Sequence, residues 1–324
     1  MATLNAETIL ITGASGYMAT HIVKSFLEAG YYVRGTVRSL ETAEKVRQTF
    51  MHHSSRLSFA IVQDIGKEGA FDEAVKGVHG VIHTATPYKV SVQDNKTDLL
   101  DPAINGTLNI LLSVSRHAPQ VKRIVFTGSF VSMLNILKGR WPGHIYSETD
   151  WNPTTYESAA SKDAPAGMAY AGAKTFAERA AWDFVAKNHP HFDISFILPP
   201  MTYGPNLNAT ASLTNLNASS YDIYRLMTPQ TRPRDMVPGN EFFSFVDVRD
   251  VAEAHVQAYR RFFVCQGNFT YQHFVNILRE KLPEIRAGAD TSKSREVLGL
   301  RYRTMEDTVV DAAKSFMELE RSCI

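Results

Sequence analysis

Cys265 and Cys323 are the only thiols in this 324-residue chain. They lie far apart with no metal or redox spacing, so no disulfide framework and no cysteine-built metal centre is expected, and a reducing compartment is the simplest reading. The chain also lacks an excess of either charge. Its 34 Lys+Arg against 33 Asp+Glu leave a net +1, which gives no global field for nucleic acid or an anionic membrane. No stretch reaches the roughly 18 uninterrupted apolar residues of a membrane span. The opening MATLNAETILITGASGY has no basic segment followed by a long apolar one, so no signal peptide is expected. The Asn-x-Ser/Thr triplets at Asn208 and Asn217 then read as chance matches. These absences lead to the expectation of a soluble cytoplasmic protein, monomer or homodimer, without nucleic-acid, membrane or metal partners.

What is present is an ordinary globular composition, 44% hydrophobic and 21% charged, with enough apolar material for a sizeable core. From Thr8 to about Leu198, short β-rich runs alternate with stretches of helical spacing. The runs are TILIT (8–12), YYVRGTV (31–37), LSFAIV (57–62), GVIHTA (80–85), RIVFTG (123–128) and ISFIL (194–198). Helical spacing marks 21–29, 42–50, 99–116 and 169–187. Such alternation predicts right-handed crossovers and a doubly wound parallel α/β sheet of the Rossmann type. After Pro199 the texture changes. Residues 205–240 are rich in Asn, Ser, Thr and Pro, with one helical candidate around 221–227, and FFSFVDVRDVAEAHVQAYRR reads as a strand running into a helix that returns to the main domain. The expected division is 1–200 plus 241–262 for a dinucleotide domain, and 201–240 plus 263–324 for a smaller, discontinuous substrate lobe with two or three short helices.

The first strand meets its helix through Gly13-Ala14-Ser15-Gly16. Glycines let the backbone turn tightly and approach a pyrophosphate, while the helix start supplies free N–H groups. The third fingerprint position is Ala19, small enough for close helix–strand packing; a plain tight turn is the competing reading. A cofactor with two free ribose hydroxyls calls for Asp or Glu at the end of the second strand. This chain has Val33-Arg34-Gly35-Thr36-Val37-Arg38 there, without a carboxylate. Arg38 suits a 2′-phosphate through paired, charge-assisted hydrogen bonds, or is an ordinary solvated arginine. Asp64, just after the third strand, fits either the adenine amino group or a simple turn.

Tyr170-Ala-Gly-Ala-Lys174 opens a predicted helix, where residues four apart share a face. A lysine so placed favours phenolate and is expected to lower the Tyr170 pKa from its usual value of about 10. A tyrosine tuned this way protonates a carbonyl oxygen as hydride arrives at the carbon. A surface i,i+4 pair is the alternative. Ser129 follows the fifth strand, where a ligand of a doubly wound sheet lies, and its hydroxyl suits a developing oxyanion; strand-end serines also serve simply as caps.

GASGY, HTATP (83–87), the Ser129 strand end, YAGAK, PPMTYGP (199–205) and FVDVRDVAEAH (245–255) resemble the extended short-chain dehydrogenase/reductases. WNPTTYES (151–158) and AKTFAERAAWDFV (173–185) are especially similar to the fungal NADPH-dependent aldehyde and ketone reductases, cousins of the plant dihydroflavonol and cinnamoyl-CoA reductases. The likeness runs from about residue 7 to 260 and resumes at 290–300. It implies Ser129, Tyr170 and Lys174 as catalytic residues, Lys174 also holding the nicotinamide ribose. It implies Gly13, Ser15, Gly16, Tyr17 and Met18 on the pyrophosphate, Arg38 on the 2′-phosphate, Asp64 and Ile65 beside adenine, and Thr84 and Ala85 along the middle of NADPH. Pro199 through Thr202 would lie near the nicotinamide; Tyr88, Leu134 and Met201 would shape the substrate pocket. Asn105 is a candidate relay residue, with packing as its alternative.

Three departures from that pattern bear on function. Thr42 stands where many relatives carry lysine. Thr127-Gly128-Ser129 replaces Thr-Ser-Ser. The segments at 260–270 and 281–290 are short. The leading expectation is NADPH-dependent reduction of an aldehyde or ketone. The alternatives are a sugar-nucleotide epimerase or dehydratase, using Arg225, Arg232 and Arg234 on a diphosphate, and a non-catalytic NADP-binding regulator.

Overall fold

The computed structural model describes residues 7–86, 92–139, 141–208, 213, 216–227, 242, 244–260, 269–270, 288–289, 302–304, 306–308, 310–312 and 314–315. Six strands, β1 (Thr8–Thr12), β2 (Tyr32–Val37), β3 (Leu57–Ile61), β4 (Gly80–His83), β5 (Arg123–Thr127) and β7 (Asp193–Leu198), join the two-residue β10 (Phe269–Thr270) in one sheet. Its order is β10-β7-β5-β4-β1-β2-β3, and every pairing is parallel. The order reverses between β1 and β4, the switch point at which a doubly wound sheet opens a ligand crevice.

The middle strands are apolar on both faces because both are covered. Every residue of β4 and β5 is buried, whereas the outer strand β3 is open along much of its length, as expected for a parallel sheet between helical layers. One layer contains α1 (Tyr17–Glu28), α2 (Leu40–Thr49) and α7 (Val248–Arg260); Ile22, Phe26, Val251 and Ala254 meet Ile9, Ile11 and Val125 there. The other contains α3 (Asp101–His117) and α5 (Ala166–Asn188); Ile110, Leu111, Val114 and Ala181 meet Leu10, Ile124 and Phe196. The buried positions of α3, including Ala103, Gly106, Thr107, Ile110, Leu111 and Val114, recur at three- and four-residue steps, which is the stripe a sheet-facing helix needs.

Helix α7, from the strand-to-helix segment FFSFVDVRDVAEAHVQAYRR (242–261), packs against α1, β5 and β7. Its strand, β9 (Phe245–Asp247), does not enter that sheet; it pairs with β8 (Met201–Tyr203). Arg123 fixes α7 to the sheet: it holds Asp193 through Nε and Nη2, each at 2.7 Å, and donates to the Ala258 carbonyl at 2.8 Å. The remaining described strands and α-helices are β6 (Ile145–Tyr146) paired with β11 (Gly288–Ala289), α4 (Tyr156–Ala160) and α6 (Ala218–Met227). Most of 228–241 and 261–301 lies outside the described residues, and with it Arg232, Arg234, the shortened segments and most of the expected C-terminal helices. Among the described residues no helix is long and apolar enough to cross a membrane.

Candidate active site

The site is assembled where β1, β4 and β5 end. After Thr12 the chain turns at Gly13, whose φ of +67° is a left-handed conformation that β-carbon-bearing residues avoid. A Cβ there would also lie 3.2 Å from the Ala85 Cα. The turn is held from β2: Gly13 N–H donates to Thr36 Oγ1 at 3.0 Å and Ala14 N–H to the Thr36 carbonyl at 2.9 Å. Helix α1 then starts behind Gly16 with no side-chain cap and no acidic residue in its first turn. Ser15 and Gly16 are exposed and Tyr17 and Met18 half-buried. An uncapped, exposed helix start behind a glycine turn fits a pyrophosphate.

Thr12, which the sequence reading passed over, organises the next segment. Its Oγ1 accepts from the N–H of Thr84 at 3.1 Å and of Ala85 at 3.0 Å. With two bonds accepted, its own proton goes to His83 Nδ1 at 3.1 Å. Burial, and secondarily Lys174, push the His83 pKa down to about 3, so the ring is neutral and able to accept. Strand β4 therefore stops at His83, two residues before the run GVIHTA suggests, because the next two N–H groups turn to a side chain.

Ser129 is 9% exposed at the end of β5, and its hydroxyl lies near enough to the Tyr170 hydroxyl to favour the ionised phenol. The two candidate proton donors thus share one place, although Tyr170 comes from α5. The Gly128 departure has a packing reason: a Cβ there would meet Leu198 Cδ2 at 2.3 Å and Phe196 at 3.2 Å. Tyr170 keeps 41% of its surface exposed, yet burial of its hydroxyl end raises its pKa, and the nearby Ser129 hydroxyl opposes that only in part. The lowering expected from Lys174 is not found; burial raises the value and Ser129 is the opposing influence. Lys174 donates from Nζ to Thr86 Oγ1 at 2.9 Å. Burial lowers its pKa to about 8, with Glu178 acting against the shift. Thr86 lies inside HTATP; its pairing with a residue 88 positions later was not readable.

The other expected residues fall as follows. Arg38 is exposed just past β2 and has no ion-pair partner among the described residues, which suits an anionic group arriving there; Thr42 is engaged with the Ser39 cap of α2. Asp64 is exposed, with Oδ1 accepting from Gly66 N–H at 2.8 Å, so it forms a turn. Ile65 is half-buried, and its carbonyl accepts from Asn109 of α3. Pro199 is buried, its carbonyl accepting from Phe130 N–H at 3.0 Å, while Thr202 is 7% exposed and donates to the Pro200 carbonyl. Met201 is half-buried on the α1/α7 side, and Leu134 is buried with Phe130, Met133 and Tyr146. Tyr17 turns its hydroxyl to the Gly204 carbonyl at 3.1 Å. Asn105 is exposed on α3. Tyr88 lies outside the described residues.

Comparison with known proteins agrees with this fold. Residues 9–269 match the model of the "NAD dependent epimerase/dehydratase family". Ketoreductase azaE of Aspergillus niger is 36% identical, the match covering 97% of this chain and 98% of the relative. The NADPH-dependent methylglyoxal reductase GRE2 of Saccharomyces cerevisiae is 32% identical over 97% of this chain and 99% of its own. The crystal structure of yeast methylglyoxal/isovaleraldehyde reductase Gre2 complexed with NADPH superposes with a TM-score of 0.84 at 31% identity, covering 97% of this chain and 99% of that one. The chain belongs to the NAD dependent epimerase/dehydratase family, that is, to the extended short-chain dehydrogenase/reductases.

Proposed function

We propose that this chain is an NADPH-dependent reductase that converts a small or medium aldehyde or ketone to the alcohol. The observation that carries the reading is that Ser129 at the end of β5 and Tyr170 of α5 bring their hydroxyls near one another where β1, β4 and β5 end, beside Lys174 tied to Thr86. Two hydroxyls so placed can converge on one carbonyl oxygen. The reduced nicotinamide, when bound, supplies the hydride.

Tyr170 gives its proton to the substrate oxygen. Because burial raises its pKa, it remains a protonated donor at neutral pH. Ser129 donates to the same oxygen as negative charge gathers on it. Lys174 holds positive charge one helical turn from Tyr170 and is the amine placed to meet the nicotinamide ribose. Gly13, Ser15, Gly16, Tyr17 and Met18 provide the pyrophosphate turn, Arg38 the cation for a 2′-phosphate, and Thr84 and Ala85 the wall along the middle of the cofactor. Asp64 and Ile65 flank the adenine end, with Pro199 and Thr202 near the nicotinamide. Tyr88, Leu134 and Met201 are apolar for the most part and favour an aliphatic or aromatic carbonyl compound over a sugar. We assign 1–200 plus 241–262 to the cofactor side and 201–240 plus 263–324 to the substrate lobe.

Support comes also from the relatives, whose names include a ketoreductase and an NADPH-dependent methylglyoxal reductase. A UDP-glucose 4-epimerase structure is 20% identical with a TM-score of 0.65, a likeness of fold alone. The experiment is to mix purified protein with NADPH and a panel of aldehydes and ketones. Carbonyl-dependent loss of NADPH absorbance supports the reading. Saturable NADPH binding without oxidation would point instead to a regulator.

A further inference from the structure

Tyr170, Lys174, Glu178 and Trp182 follow one another at four-residue steps on α5 and so share one face. The first two serve the reduction proposed above; Glu178 has no part in it. Yet Glu178 is only 1% exposed, and both of its carboxylate oxygens are buried without a partner in hydrogen-bonding geometry among the described residues. Burying an unpaired carboxylate is costly unless a charge compensates it or it takes up a proton.

Its neighbours are those of the active site. Burial pushes the Glu178 pKa up to about 7; the polar groups of Ser132 and Trp182 oppose that rise, and so do the positive charges of Lys174, on one side, and Arg179. On the other side is the turn 130–132, which packs against α5. There Ser132 Oγ donates to the Ser129 carbonyl at 2.6 Å. Lys174 in turn is faced by Thr86 beyond β4, by His83 of β4 and by Glu178 of its own helix. Thr86 carries no charge and His83 is neutral, which leaves Glu178 as the compensating anion among the described residues.

We propose that Glu178 is a positioning residue for the reduction: its carboxylate, fixed one helical turn behind Lys174, is the counter-charge that keeps that amine cationic at the crevice. The inference rests on the reductase reading, since it gives the lysine charge a purpose. Removing the carboxylate charge makes the amine lose its proton at lower pH. By reciprocity, removing the amine makes the carboxylate hold its proton to higher pH.

The test reads Lys174 directly in cofactor-free protein. Competitive acetylation with acetic anhydride across a pH series, quantified by mass spectrometry, gives the midpoint at which this amine becomes reactive. Glu178→Gln is expected to move that midpoint down by about one pH unit, the scale of a nearby opposite charge. Glu178→Asp, which keeps the charge, is expected to stay near wild type. The alkaline limb of kcat/KM with NADPH and an aldehyde should move by the same amount in Glu178→Gln. An unmoved midpoint in Glu178→Gln, or equal displacements in Gln and Asp, would overturn the proposal. Should Glu178→Gln not fold, Lys174→Met supplies the converse measurement. The infrared band of the protonated Glu178 carboxyl should then persist to higher pH than in wild type, and an unchanged titration would equally overturn it. If wild-type protein oxidises no NADPH with any carbonyl compound, the reductase reading fails, while the acetylation series still decides whether Glu178 sets the Lys174 charge.

Discussion

Lys174 Nζ donates to Thr86 Oγ1 at 2.9 Å, which ties the amine of α5 to the segment leaving β4. Chain positions 88 apart thus meet over the switch point of the sheet. The contact holds the amine in a half-buried place, where burial lowers its pKa to about 8. The sequence supplies the lysine; the fold supplies its titration range.

The pH dependence follows. Lys174 is cationic below about 8 and neutral above it, while burial keeps Tyr170 protonated in the same range. The kcat/KM for reduction should therefore fall as pH rises through about 8. A profile flat up to the ordinary lysine range, about 10, would contradict this. Stability has the opposite slope from this group. Between about 8 and the ordinary 10.5 the unfolded chain binds more protons at this site, so folding gains stability as pH rises across that window.

Cofactor choice should reside in Arg38, an exposed cation past β2 without an ion-pair partner among the described residues. Arg38→Ala should raise the KM for NADPH about 10- to 100-fold, the worth of one charge-assisted contact, and that for NADH far less. Steady-state kinetics with both cofactors check this; equal changes for the two would count against the assignment.

Thr12→Val keeps the shape of the side chain but removes the oxygen that accepts from Thr84 and Ala85. Orphaning these N–H groups should cost at least about 1–3 kcal/mol. Urea denaturation should show the loss, together with weaker NADPH binding. Unchanged values for both would show that the segment is held by something else.

Asp193→Ala should leave the buried Arg123 guanidinium without its bidentate partner. Because Asp193 is itself 47% exposed on its side chain, water replaces part of the contact, and a loss of about 1–3 kcal/mol is expected. Thermal unfolding measures it. Cofactor affinity should stay near wild type, as the pair lies at the start of β5 and β7, away from the crevice.

The sheet was legible because its strands are short apolar runs set between turn signals. TILIT and β1 coincide at 8–12. Errors arose where distant groups decide the boundary. GVIHTA stops early because Thr84 and Ala85 bond to Thr12, and α1 starts at Tyr17 rather than at residue 21 because Gly16 offers no polar cap to read. Local chemistry also misled: four-residue spacing suggested a lowered Tyr170 pKa, yet burial, which spacing does not encode, raises it. Glu178 stands at the same four-residue spacing but was given no role from the sequence. What no pattern showed was that it would be buried without bonded partners.

The account stands or falls on the Tyr170 hydroxyl as proton donor, and the direct measurement is turnover by Tyr170→Phe beside wild type with NADPH and an aldehyde. Loss of general-acid assistance predicts a fall in kcat/KM of about 10²- to 10⁴-fold, with NADPH affinity changed by no more than a few fold. Near-wild-type turnover by the phenylalanine variant would contradict it.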